Sequence, residues 1–351
     1  MHKRASDSES GFTLVETMIA TGLTLVIVSA AISMLNGTVT LTGTARVISE
    51  TNHGLQAATS LMVRDLMQAG QGVPQSGVPI PNGTGSTGVA RPGLAVMTFA
   101  GGQLPALSTG NALGPAITMI PDDRPVGTRA VMTVQTDMIN LLYADRTLNL
   151  SANPLTAIAA NGSTMTVAAA TPVTGVGGLK AGDLILFTNA RGNAVQVVTT
   201  TPTTQTVQFA AGDAMNMNQR GAQFGSLMNL QSTPGVFPLT TATRLVMVSY
   251  FIDNVTDPAL PRLVRRVNMG NRLAIAMGVE NLQLTYDIVN GGANPVNIST
   301  PAPAAVNQIR KVNLFLQARS QDVNPQTKMY FRNSMSTQVG LRSLSFVDRY
   351  R

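Results

Sequence analysis

Between Phe12 and Leu35 the chain runs for 24 residues with a single charge, Glu16, and from Thr17 to Ala45 it carries none. About 20 helical residues suffice to cross the hydrocarbon layer of a bilayer. Backbone in lipid must satisfy its own hydrogen bonds, so such a segment is helical. This constrains the chain more than any other feature does. It predicts one membrane helix near the N-terminus, with the rest of the 351 residues folding outside the lipid.

The residues before the apolar run are polar, MHKRASDSES, and Lys3 and Arg4 favour a cytoplasmic N-terminus, offset by Asp7 and Glu9. A secretory signal is cleaved after its apolar run, beside small residues. Here the polar leader instead ends in Gly11, ahead of the run. A plain signal anchor has no use for a carboxylate five residues into the apolar stretch. Burying one in lipid costs about 2–3 kcal/mol or more, so Glu16 implies a partner.

These residues, Gly11-Phe12-Thr13-Leu14-Val15-Glu16, resemble the processing signature of the type IV prepilin family at every position. The resemblance implies cleavage by a prepilin peptidase between Gly11 and Phe12 and N-methylation of Phe12. It also implies that Glu16 neutralises the terminal amine of a neighbouring subunit, which sets axial register in a filament. In a low-dielectric core such a pair aligns the entering subunit axially, while an unpaired acid is penalised.

The polarity changes after Leu35. Val47, Ile48, Leu55, Ala58, Leu61, Met62, Leu66 and Ala69 fall on one helical stripe that Arg46, Glu50, Gln56 and Arg64 largely avoid. Gly70, Gly72 and Pro74 mark the end of that helix, and Gly37 and Gly43 are expected points of softness within it. Residues 73–93 are rich in Pro, Gly, Ser and Thr and read as loop. Their GTGSTG, Gly83–Gly88, formally fits a dinucleotide-binding pattern. It lacks the flanking strand and helix that pattern needs, with Pro79 and Pro81 before it and Pro92 after.

Strands are expected over 130–143, 164–168, 183–188, 194–199 and 206–209, with a hairpin turn at 190–193. A second group follows over 244–252, 262–267, 282–289, 309–319 and 328–344. In 309–319, Val312, Leu314, Leu316 and Ala318 alternate with Lys311, Asn313, Gln317 and Arg319, the pattern of a half-buried strand.

Several stretches resemble PilW-type minor pilins: Arg64-Asp65-Leu66 with Ala69-Gly70, Gly182 to Phe187, Tyr250, Leu263 with Arg265 and Arg266, Val279-Glu280 with Leu282 and Tyr286, and Val339 with Leu341 and Arg342. Ser343 departs from the Asn usual after that closing Leu-Arg. The fold class implied is α+β: a long N-terminal helix, transmembrane in its first half, packed on a mostly antiparallel β-rich domain with a β insertion. The expected organisation is a leader over 1–11, a membrane and filament-core helix over 12–35, and an amphipathic continuation over 36–70. A loop-rich β part follows over 71–145, then an inserted β subdomain over 146–212 and a C-terminal β-sheet part over 213–351.

Composition narrows the chemistry. With no cysteine, disulfides, zinc thiolate sites and thiol catalysis within the chain are excluded. The charge of +7 is scattered and aromatics are 4%, so no nucleic-acid platform is evident, though weak adhesion to anionic surfaces stays open. His2 lies in the leader and His53 on the helix. Asp253, Asn254 and Asp257 fit no complete calcium loop and read as a turn before Pro258, and Asp122-Asp123 likewise reads as a turn. No catalytic, cofactor or metal residue is assigned, and the chain is not expected to be an enzyme.

The function the resemblance implies is a minor pilin that primes filament assembly or sits at the tip. Its partners would be the prepilin peptidase, other minor pilins, the major pilin, the inner-membrane assembly platform and inner-membrane lipid. The chain would span the inner membrane once, with a periplasmic domain, before reaching the pilus or cell surface. A type II secretion pseudopilin of the J kind, a tip adhesin and a DNA-uptake pilin are the alternatives.

Overall fold

A computed structural model describes residues 11–81, 102–125, 127–128, 131–148, 150, 155–171, 173–268, 270–290 and 292–344, without the side chains of 303–305. The leader up to residue 10 and the GTGSTG segment lie outside the described residues.

One helix, α1, runs unbroken from Leu14 to Gln68, 55 residues or about 82 Å. It passes through both Gly37 and Gly43. Threonines dominate that stretch, and each returns its hydroxyl to a carbonyl one turn back: Thr38 to Met34, Thr40 to Asn36, Thr42 to Thr38 and Thr44 to Thr40. Polar side chains thereby need no external partner along an exposed helix. The N-terminal part is exposed, and the first buried side chain is Val47. Beyond it Leu55, Ala58, Met62, Leu66 and Ala69 of the stripe are buried, and Ile48 and Leu61 half-buried. Thr51, Thr59 and Asp65 join them, which apolar periodicity alone does not register. The helix ends because Gly70 and Gly72 take left-handed backbone (φ +81° and +69°), which favours glycine.

The strands are β1 (Val78–Pro79), β2 (Gln103–Leu104), β3 (Leu107–Gly110), β4 (Ala116–Met119), β5 (Met132–Gln135), β6 (Met138–Ala144), β7 (Ala157–Ile158), β8 (Thr164–Thr166), β9 (Leu184–Asn189), β10 (Gly192–Val197) and β11 (Thr206–Gln208). They continue as β12 (Thr241–Asp253), β13 (Arg262–Val267), β14 (Arg272–Met277), β15 (Val279–Ile288), β16 (Ile309–Val323) and β17 (Tyr330–Gly340). Every pairing between them is antiparallel. The fold class is therefore α+β: one long N-terminal helix followed by an antiparallel β-rich domain.

The expected strand over 130–143 is two strands. β5 and β6 part at Thr136-Asp137 because the buried Asp137 carboxylate accepts the amides of Ala112 and Leu284, at 2.8 and 2.7 Å. The last expected strand, 328–344, is shorter at both ends, and the chain turns after Gly340. β9 and β10 form a hairpin closed by Ala190-Arg191, with Asn189 paired to Gly192.

The largest sheet is organised on β12, which pairs with β9 through 241–245, with β6 through 245–250 and with β13 through 248–253. Asn268 fills the gap between β9 and β13. Held at φ +48°, it bonds Met247 through both its amide and its Oδ1, and its Nδ2 donates to Asp183. Leu184 and Leu186 of β9 enter the main core, while Ile185 and Phe187 enter a second core with Met165, Val207 and Phe209. Both faces of β9 are thus covered, which explains its continuous apolar run. The second sheet, in the order β15-β16-β17, packs Leu282, Leu284, Val312, Leu314, Leu316 and Val339 into the main core with the helix stripe.

Candidate functional site: the capped start of an exposed apolar helix

The helix begins with a capping box, and the sequence accounts for it. Thr13-Leu14-Val15-Glu16 has the Ser/Thr-x-x-Glu spacing that satisfies two orphan amides reciprocally. The Glu16 amide donates to Thr13 Oγ1 at 3.3 Å, and the Glu16 Oε2 accepts from the Thr13 amide and hydroxyl, both at 2.9 Å. The carboxylate also sits where the positive end of the helix dipole favours it. Among the described residues no cation pairs with it.

Gly11, Phe12 and Glu16, the three residues singled out in the sequence, all lie within this first turn and the residues leading into it. Nothing stands within 4 Å of where a Cβ on Gly11 would be, so the fold itself does not require glycine there. Phe12 is 83% exposed. Behind it Leu14, Val15, Met18, Ile19, Leu23, Leu25, Val26, Ile27, Ile32, Met34 and Leu35 are exposed as well. An 18-residue window of this helix has mean hydropathy 2.2, with none of it buried within the chain. The helix is long and apolar enough to cross a membrane.

The far end of α1 is gripped by the body. At one end Thr44 bonds Asn324 and Gly43 lies against Pro325; at the other Leu344 packs over Gly70. Between them Asp65, 1% exposed, accepts from the Tyr250 hydroxyl at 2.6 Å and the Arg265 Nε at 2.7 Å. Burial, then that bond to an anion, pushes the Tyr250 hydroxyl far above the usual phenol range. Asp65, Tyr250 and Arg265 lay within segments singled out by resemblance, yet their meeting was not visible in the sequence. The same holds for Glu280, 1% exposed, which pairs with Arg332 at 2.7 Å and Arg319 at 3.2 Å.

Two other sequence candidates, Asp253 and Asp122, are occupied structurally. Asp253 accepts from the Val255 and Thr256 amides, the Thr256 hydroxyl and Arg262, so its lone pairs close a turn. Asp122 holds Arg124 at 2.8 Å. His53 is exposed on α1. Among the described residues no group of three or more His, Asp or Glu side chains is placed to hold a metal ion.

No family model and no curated protein matches the sequence. Among solved structures the chain is similar to a type IV-like pilin from Thermus thermophilus. The two are 12% identical, the match covers 48% of this chain and 86% of that one, and the TM-score is 0.19.

Proposed function

We propose that the chain is a pilin-like membrane subunit, a minor pilin of the PilW type, in which the exposed part of α1 packs among neighbouring helices and the β-rich body is carried outside the membrane. The observation that carries this is the helix itself. Its first half is apolar and uncovered, its second half is built into a β domain, and an acid stands at its start.

In this reading residues 1–11 are removed by a prepilin peptidase, Phe12 becomes a methylated N-terminus, and 12–35 form the membrane and filament-core segment. Residues 36–70 join it to the body, 71–145 and 213–351 form that body, and 146–212 are an accessory β unit. Other minor pilins, a major pilin and an inner-membrane assembly platform are the partners, and the role is structural rather than catalytic. Inner-membrane residence with a periplasmic body precedes display on the filament.

Glu16 then has two separable duties: capping its own helix and pairing with the amine of a neighbour. Gln keeps the capping geometry and removes the charge, whereas Thr13→Ala weakens the cap and leaves the charge. If the charge sets register, Glu16→Gln loses incorporation into filaments while Thr13→Ala retains it. Mass spectrometry of the membrane-fraction protein should find a methylated Phe12 terminus. A mature chain that keeps its first eleven residues overturns the reading.

A further inference from the structure

The β15-β16-β17 sheet turns one face to α1 and the main core. Its other face carries an open groove of about 520 Å³, within the range of ligand clefts. Register fixes what lies there. On β15, β16 and β17 respectively, Gln283 and Thr285, Asn313 and Phe315, and Ser336 and Gln338 project to this side, with Asn297 beside them. Every one of these side chains is uncharged, in a chain of net charge +7. Asp287, which borders the groove, is engaged by the Asn313 side-chain amide at 2.9 Å and the Asn297 backbone amide at 3.0 Å, and stands opposite Lys311 in the ladder.

The groove has a fixed part and a free part. Asn313 Nδ2 is tied to Thr285, Asp287 and Asn297, and Gln283 Nε2 to the Gln135 carbonyl, so these side chains are held in place. Ser336 and Gln338, on the exposed edge strand, make no side-chain hydrogen bond within the described residues and face solvent. Between them and the fixed amides lies the half-exposed ring of Phe315.

We propose that this groove binds an uncharged oligosaccharide. A pyranose offers an apolar C–H face and a rim of hydroxyls that both donate and accept. A single aromatic ring flanked by amides and hydroxyls, with no ionic group in the lining, complements both. An acidic or basic ligand would meet no countercharge in the lining. The three-stranded surface, about 10 Å across at ~4.8 Å per strand, suits roughly two sugar rings laid across the strands. The inference does not depend on membrane processing or filament assembly.

The test uses the full chain in a non-glycosidic detergent, titrated calorimetrically with maltohexaose, cellohexaose and chitohexaose. Saturable binding of at least one is expected. Phe315→Leu, which keeps apolar volume but removes the ring, should weaken it at least ten-fold, and Gln338→Ala several-fold. Both should unfold thermally as the parent does, and Gln56→Ala on the exposed side of α1 should bind unchanged. The proposal is overturned if none of the three sugars saturates. Equal binding by the parent and Phe315→Leu overturns it too, as does sedimentation showing that Phe315→Leu abolishes self-association of a chain that binds no sugar.

Discussion

Asp65, Glu280 and Asp253 show how a chain with few charges uses them. Asp65 holds Arg265 and the Tyr250 hydroxyl inside the core, so Asp65→Ala strands both partners and should cost about 3–5 kcal/mol. Tyr250→Phe removes one bond and should cost about 1–3 kcal/mol, measured for both by denaturant unfolding in detergent micelles. Asp253 is opposed by burial, but its bonds to Thr256, Arg262 and the turn amides hold its pKa at about 2, below the ordinary 3.8. A depressed carboxylate stabilises the fold above its unfolded pKa, and that contribution is lost as pH falls from about 4 to about 2. The loss should amount to roughly 2 kcal/mol, and an unfolding series across that window should be flatter in Asp253→Asn. The turn at Asp253 was legible in the sequence, but the roles of Asp65 and Glu280 were not. The partners of Asp65 stand 185 and 200 residues away, and one sequence without its pairing says nothing about such meetings. The Thr13–Glu16 cap was legible, because both of its residues lie within one turn.

At the scale of elements, the helix was the readable part. Its periodicity marked the buried stripe, and Gly70 and Gly72 its end, because both signals are local. The strands that alternate, such as β16, were readable for the same reason. β3, β4 and β14 were not anticipated: the first two have four residues each, and the LAIA within β14 does not alternate. Phe315 shows the limit of pattern reading. It sits on the polar side of β16 among Asn313 and Gln317, and only the register with β15 and β17 reveals the groove around it.

The two helix glycines give a test of how closely the body holds α1. A methyl on Gly37 meets nothing, so Gly37→Ala should strengthen the helix by about 1 kcal/mol. A methyl on Gly43 would stand 3.0 Å from Pro325 Cγ, so Gly43→Ala should gain less than that or lose stability. Amide hydrogen exchange across 36–46 in the two variants measures the difference.

For the whole molecule, two hydrophobic cores share the β9–β10 hairpin, which makes that hairpin the joint between them. Phe187 meets Phe209 edge-on at 5.5 Å in the second core. Phe187→Ala should cost about 3–5 kcal/mol, and if the cores are coupled through β9, protection in hydrogen exchange should fall in both.

Strand β17 follows α1 in the same direction: Asn333 bonds Asn52, and Leu344 covers Gly70. Tension between an anchored N-terminus and a held body therefore acts along the strands rather than across them. Pulled that way, the long β16–β17 ladder is loaded in shear, with its rungs sharing the force instead of opening one after another from an end. The last sheet is thereby placed to resist traction along the axis of α1.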